Sequence, residues 1–98
     1  MKIGIASTKG DLSGEISEMG GRAPYYLIIG DDKELLEVIK NPFAVGGGGA
    51  GSGVAKMLAD KDVDKIVVGE VGGNMKEALM ERNVELDLAS GLIEDYLK

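Results

Sequence analysis

A chain of 98 residues is the size of one domain, and its excess of acid (17 Asp and Glu against 11 Lys and Arg, net charge −6) repels phosphate backbones and argues against nucleic acid as a partner. Cysteine and histidine are both absent. That removes disulfides, thiolate-held zinc or iron–sulfur centres and Cys- or His-based nucleophilic chemistry from this chain. No leader-like segment and no run of about 20 apolar residues occurs, so a cytoplasmic protein with no membrane partner is expected.

Lys2-Ile3-Gly4-Ile5-Ala6-Ser7 opens the chain as a strand, with isoleucines alternating against small residues. A polar, glycine-bearing loop from Thr8 to Ala23 follows, long enough for a domain of this size to point to function. Pro24-Tyr25-Tyr26-Leu27-Ile28-Ile29-Gly30 is the strongest strand, with one tyrosine expected in the core and its neighbour outside. Residues 34–40 are ambiguous. Leu35, Leu36, Val38 and Ile39 fit a helix face, whereas the alternation around Glu37 and the short preceding turn fit a hairpin strand.

The densest signal is Gly46-Gly47-Gly48-Gly49-Ala50-Gly51-Ser52-Gly53, directly before a helical pattern carried by Val54, Ala55, Met57, Leu58 and Ala59. Ser52 is the expected N-cap. Lys65-Ile66-Val67-Val68-Gly69 reads as a central strand buried on both faces. After Glu70-Val71-Gly72-Gly73, Asn74 is placed to cap a second helix with Glu77 completing the box, and Met75, Ala78 and Leu79 form its buried face. Asn83 suits a left-handed helix end. Val84-Glu85-Leu86-Asp87-Leu88 alternates as a strand with one wet face, and Ser90 is placed to cap a third helix carrying Leu92, Ile93, Tyr96 and Leu97. The order is βββ-α-β-α-β-α in one α/β domain. Loops at the carboxyl ends of parallel strands gather on one edge, so the loop after Ser7, the loop after Gly69 and the glycine stretch are expected to share it.

Two nucleotide readings fail at this edge. Gly46, Gly48 and Gly51 match GxGxxG with Glu70 further on, but a tract this rich in glycine matches by chance, and residues 41–45 are a poor strand. A phosphate loop requires Gly-Lys-Ser/Thr, whereas Gly53 is followed by Val54-Ala55-Lys56. An anionic ligand at bare helix N-termini fits the pattern better. Asp11, Glu15, Glu18, Asp31, Asp32 and Glu70 leave a carboxylate- or metal-dependent hydrolase as a further reading. A protein–protein adaptor is another.

Ser17-Glu18-Met19-Gly20-Gly21-Arg22-Ala23-Pro24-Tyr25-Tyr26, the glycine tract before Val54-Ala55-Lys56-Met57-Leu58, and Gly72-Gly73-Asn74 before Glu77-Ala78-Leu79 together resemble the dinitrogenase iron–molybdenum cofactor biosynthesis family of NifX and the NifB C-terminal domain. The resemblance runs over residues 1–98. It implies a five-stranded mixed sheet with one antiparallel strand, flanked by three helices in a ribonuclease-H-like arrangement, and it reads residues 34–40 as a strand. It further implies a non-enzymatic carrier of an iron–molybdenum or iron–sulfur cofactor precursor, with metal-cofactor assembly proteins as partners and a monomeric or weakly dimeric state. The family's cluster-handling histidine falls on Met19. The ligand-binding residues expected on this basis are Met19, Gly21, Arg22, Gly46, Gly47, Gly48, Gly49, Gly51, Ser52, Glu70, Gly72, Gly73 and Asn74, with Arg22 suited to bidentate contact with an anion.

Overall fold

A computed structural model describes residues 1–45 and 50–98. Five strands form one sheet: β1 (Ile3–Ser7), β2 (Tyr25–Ile29), β3 (Leu35–Lys40), β4 (Lys65–Val68) and β5 (Glu85–Leu88), in the spatial order β3-β2-β1-β4-β5. β1, β4 and β5 pair in parallel, and β2 runs antiparallel to both β1 and β3. The segment that sequence left ambiguous is β3, an edge strand. Its pairing to β2 shifts between Ile28 and Ile29, which takes up one residue at Leu36.

Strand alternation divides the core between the two faces of the sheet. Ala6, Tyr26, Ile28, Ile66 and Val68 face helices α1 (Ala50–Asp60) and α2 (Gly73–Glu81). Ile5, Leu27, Ile29 and Val67 face the opposite side, where Ile16 from the long loop and Ile93 from the single-turn helix α3 (Ile93–Tyr96) cover them. Gly4 stands where α1 approaches: a Cβ there would lie 3.4 Å from Val63 and 3.7 Å from Leu58. Tyr26 is fully buried and Tyr25 half-buried, as the two-residue period requires. Asn83 takes the left-handed conformation, with φ of 57°.

The three expected caps are not used. α1 begins at Ala50, so Ser52 is its third residue, and α2 begins at Gly73 with Gly72 at the N-cap and no side-chain cap. The first turns of the two helices touch: a Cβ on Gly51 would lie 2.6 Å from Met75 Cβ. Ser90 does not cap α3 either: residues 91–93 are held to the long loop first. Ile16 N–H donates to the Gly91 carbonyl (2.8 Å), Ile93 N–H donates to the Gly14 carbonyl (3.1 Å), and the helix begins only after that bridge.

Candidate functional site: a cleft at the carboxyl end of the parallel strands

The long loop is tied into the sheet by its own backbone. Ser17 N–H donates to the Ala6 carbonyl (2.8 Å), and residues 17–20 then run alongside the end of β4. Gly69 N–H donates to Ser17 O (2.9 Å), Glu70 N–H to Glu18 O (2.7 Å) and Gly20 N–H to Glu70 O (3.0 Å). This approach needs glycine at position 69, where a Cβ would stand 2.7 Å from the Glu18 Cα. Ser17, almost fully buried, pins the turn by accepting from Met19 N–H at 3.3 Å.

The chain then passes under the helix starts. A Cβ on Gly21 would lie 3.1 Å from the Gly51 nitrogen, and one on Gly51 would lie 2.6 Å from Met75 Cβ and 3.2 Å from the Met75 nitrogen. The motif loop, the first turn of α1 and the first turn of α2 therefore meet. They line a cleft of about 460 Å³ formed by residues 18–22, Ala50 with Gly51, and residues 70–75.

Of the residues singled out in the sequence, Met19, Gly21, Arg22, Gly51, Glu70, Gly72, Gly73 and Asn74 line this cleft. Ser52 does not; it faces an adjoining groove with Asn74, Glu77 and Arg82. Gly46, Gly47, Gly48 and Gly49 lie outside the described residues. Glu18, Gly20, Ala50, Val71 and Met75 line the cleft as well. Met75 was legible only as helix core, and it is indeed 2 % exposed; only its proximity to Gly20 reveals a second face, since a Cβ on Gly20 would stand 2.8 Å from the Met75 sulfur.

The lining is chemically mixed. Glu18 and Glu70 supply carboxylates, Arg22 a guanidinium, and Met19 (57 % exposed) and Met75 supply thioethers. The uncapped N-terminus of α2 adds the partial positive charge of its first-turn N–H groups. Behind the loop, burial pushes the Tyr26 hydroxyl far above the ordinary phenol range, so it remains a hydrogen-bond donor, and it donates to the Gly20 carbonyl.

This donor set does not fit a cluster held by thiolate or imidazole, because the chain contains neither. Thioether sulfur is a neutral, weak ligand. The set does fit an anion held through N–H groups and a guanidinium. Of the carboxylates of the hydrolase reading, Glu18 and Glu70 share the cleft, and Asp11 and Asp31 are engaged elsewhere. Asp11 is engaged by the Ser13 N–H and hydroxyl, which hold its carboxyl below the usual range, and Asp31 pairs with the N-terminal amine. Among the described residues, no group of three or more acidic side chains is arranged to hold a metal. No helix among them is long and apolar enough to cross a membrane.

Comparison with known proteins gives the same frame. No curated protein sequence matches the chain. Among solved structures it is similar to a candidate NifB protein from Thermotoga, at 28% identity and a TM-score of 0.79, covering 96% of this chain and 81% of the other. It is also similar in fold to the apo form of the orange protein from Desulfovibrio gigas, at 21% identity and a TM-score of 0.90, covering 98% of this chain and 82% of the other. The profile of the dinitrogenase iron–molybdenum cofactor family matches residues 1–98, the whole sequence, and the chain belongs to that family.

Proposed function

We propose that this protein is a non-enzymatic carrier that holds an anionic metal-cofactor precursor in the cleft through hydrogen bonds and charge rather than through metal–ligand bonds. The observation that carries this reading is the lining of the cleft: the uncapped first turn of α2 and Arg22, beside the side chains of Glu18 and Glu70, in a chain that belongs to a cofactor family and itself contains no cysteine or histidine. Metal–sulfur and metal–oxygen precursors are anions with several acceptor atoms, and such ligands suit N–H donors. Proteins of cofactor assembly would load and unload the site. Titration with molybdate, tetrathiomolybdate and a preformed iron–sulfur cluster tests this. At least one is expected to shift the amide resonances of Gly21, Gly51, Gly72, Gly73 and Asn74, and flat titrations with all three would sink the reading.

A second reading, a protein–protein adaptor, draws on the β3 edge, where Leu36 and Val38 are 49 % and 42 % exposed. It calls for self-association through that edge, and a sharp monomer in sedimentation across a wide concentration range counts against it.

A further inference from the structure

Two side chains grip the cleft's loop from behind. The Tyr26 hydroxyl donates to the Gly20 carbonyl. Asn41 Nδ2 donates to the carbonyls of Gly21 (3.0 Å) and Ala23 (2.9 Å). Asn41 is 4 % exposed, and its Oδ1 accepts from Phe43 N–H at 3.0 Å. Both hydrogens and the oxygen of its amide are in use, and its backbone N–H donates to the Pro24 carbonyl at 3.0 Å. Asparagine is the shortest side chain that offers two donors and an acceptor in one plane. An aspartate in its place would set acceptors against two carbonyl oxygens.

These bonds fix more than the loop's position. A trans peptide is planar, with its C=O and N–H pointing in opposite directions, and the described backbone has no cis peptide. With the Gly20 carbonyl turned to Tyr26, the Gly21 N–H points away from the core. With the Gly21 carbonyl turned to Asn41, the Arg22 N–H does the same. Gly21 lies against the Gly51 nitrogen, at the wall of the cleft.

We propose that Asn41 is a positioning residue of the cleft: its amide, fixed just after β3, sets the direction in which the peptide joining Gly21 to Arg22 faces, next to the Gly20–Gly21 peptide that Tyr26 holds. It acts through the loop and does not itself line the cleft. The value of that orientation to a ligand rests on the reading of the cleft as an anion site; the orientation itself does not.

The test compares Asn41→Asp and Asn41→Ser with the native chain. Residual dipolar couplings of the Gly21 and Arg22 N–H vectors are measured against those of β1 and β4. The Arg22 vector is expected to reorient while the Gly21 vector, held through Tyr26, and the strand couplings stay fixed, and the affinity of the folded protein for tetrathiomolybdate is expected to fall about tenfold or more. An unchanged Arg22 vector in a folded variant overturns the proposal, as does failure of both variants to fold, because a positioning role is separable from folding. If the native chain binds no tetrathiomolybdate, the reading of the cleft is what fails, and the couplings alone decide the role of Asn41.

Discussion

Asn41 and Tyr26 show how much of the cleft loop's shape is set by residues outside it. Neither role is legible in the sequence: Asn41 stands directly before Pro42, and Tyr26 is one of two adjacent strand tyrosines of which one is expected in the core. Their partners lie 20 and 18 residues away for Asn41 and six for Tyr26, and no local pattern announces such pairs. A second tyrosine makes a testable mark on stability. Burial, reinforced by a hydrogen bond to the Asp87 carboxylate, pushes Tyr96 from its ordinary 10 up to about 12. The fold therefore favours the neutral phenol. The stability it contributes is complete below pH 10 and is lost as pH rises through that interval to about 12. Melting temperature followed across this range is expected to fall more steeply for the native chain than for Tyr96→Phe, so that the gap between them narrows. Parallel curves would count against the assignment.

At the scale of elements, α1 and α2 touch at their first turns. Gly51→Ala would set a methyl 2.6 Å from Met75 Cβ, closer than carbon atoms can stand, so the helices must part. A loss of about 1–3 kcal/mol is expected in denaturant unfolding, and the cleft should change with it, since Gly51 and Met75 both line it. The bare start of α2 makes the opposite case. Gly72 has extended φ and ψ (−76° and 166°), and a Cβ added to it would meet nothing within 4 Å, so a larger residue fits there. Gly72→Asp supplies the missing cap and is expected to stabilise the fold by about 0.5 kcal/mol. It also places a carboxylate on the cleft, so affinity for tetrathiomolybdate should drop as stability rises. A variant that gains stability and keeps its affinity would show that the first turn of α2 takes no part in binding. The serine and asparagine caps expected from sequence are a local preference worth about 1 kcal/mol, and α2 starts without either of them, with Met75 buried against Gly51.

For the whole molecule, the four ion pairs among the described residues are all exposed at the surface, where each contributes little against a net charge of −6. Self-repulsion should therefore dominate the response to salt. Raising ionic strength from about 0.01 M to about 0.15 M shortens the screening length from about 30 Å to about 8 Å. The melting temperature is expected to rise by a few degrees, and a decrease would mean that the ion pairs matter more than the net charge.

The sequence by itself determined the class of the fold and the edge on which the cleft opens. Alternation in β2, the apolar run of β4 and the helical spacing after the glycine tract are local periodicities, and they specify which residues are buried before any long-range contact forms. Chain order then puts the loops that follow parallel strands on one edge. The composition also limited the chemistry, since no arrangement in space supplies a thiolate or an imidazole that the chain lacks. Tertiary structure alone decided the rest. It made residues 35–40 a strand by giving their backbone a partner in β2, and it brought the first turns of α1 and α2 together. It also gave Asn41 its hydrogen-bond partners around the cleft's loop. Those outcomes depend on groups far apart in sequence coming within a few ångströms of each other.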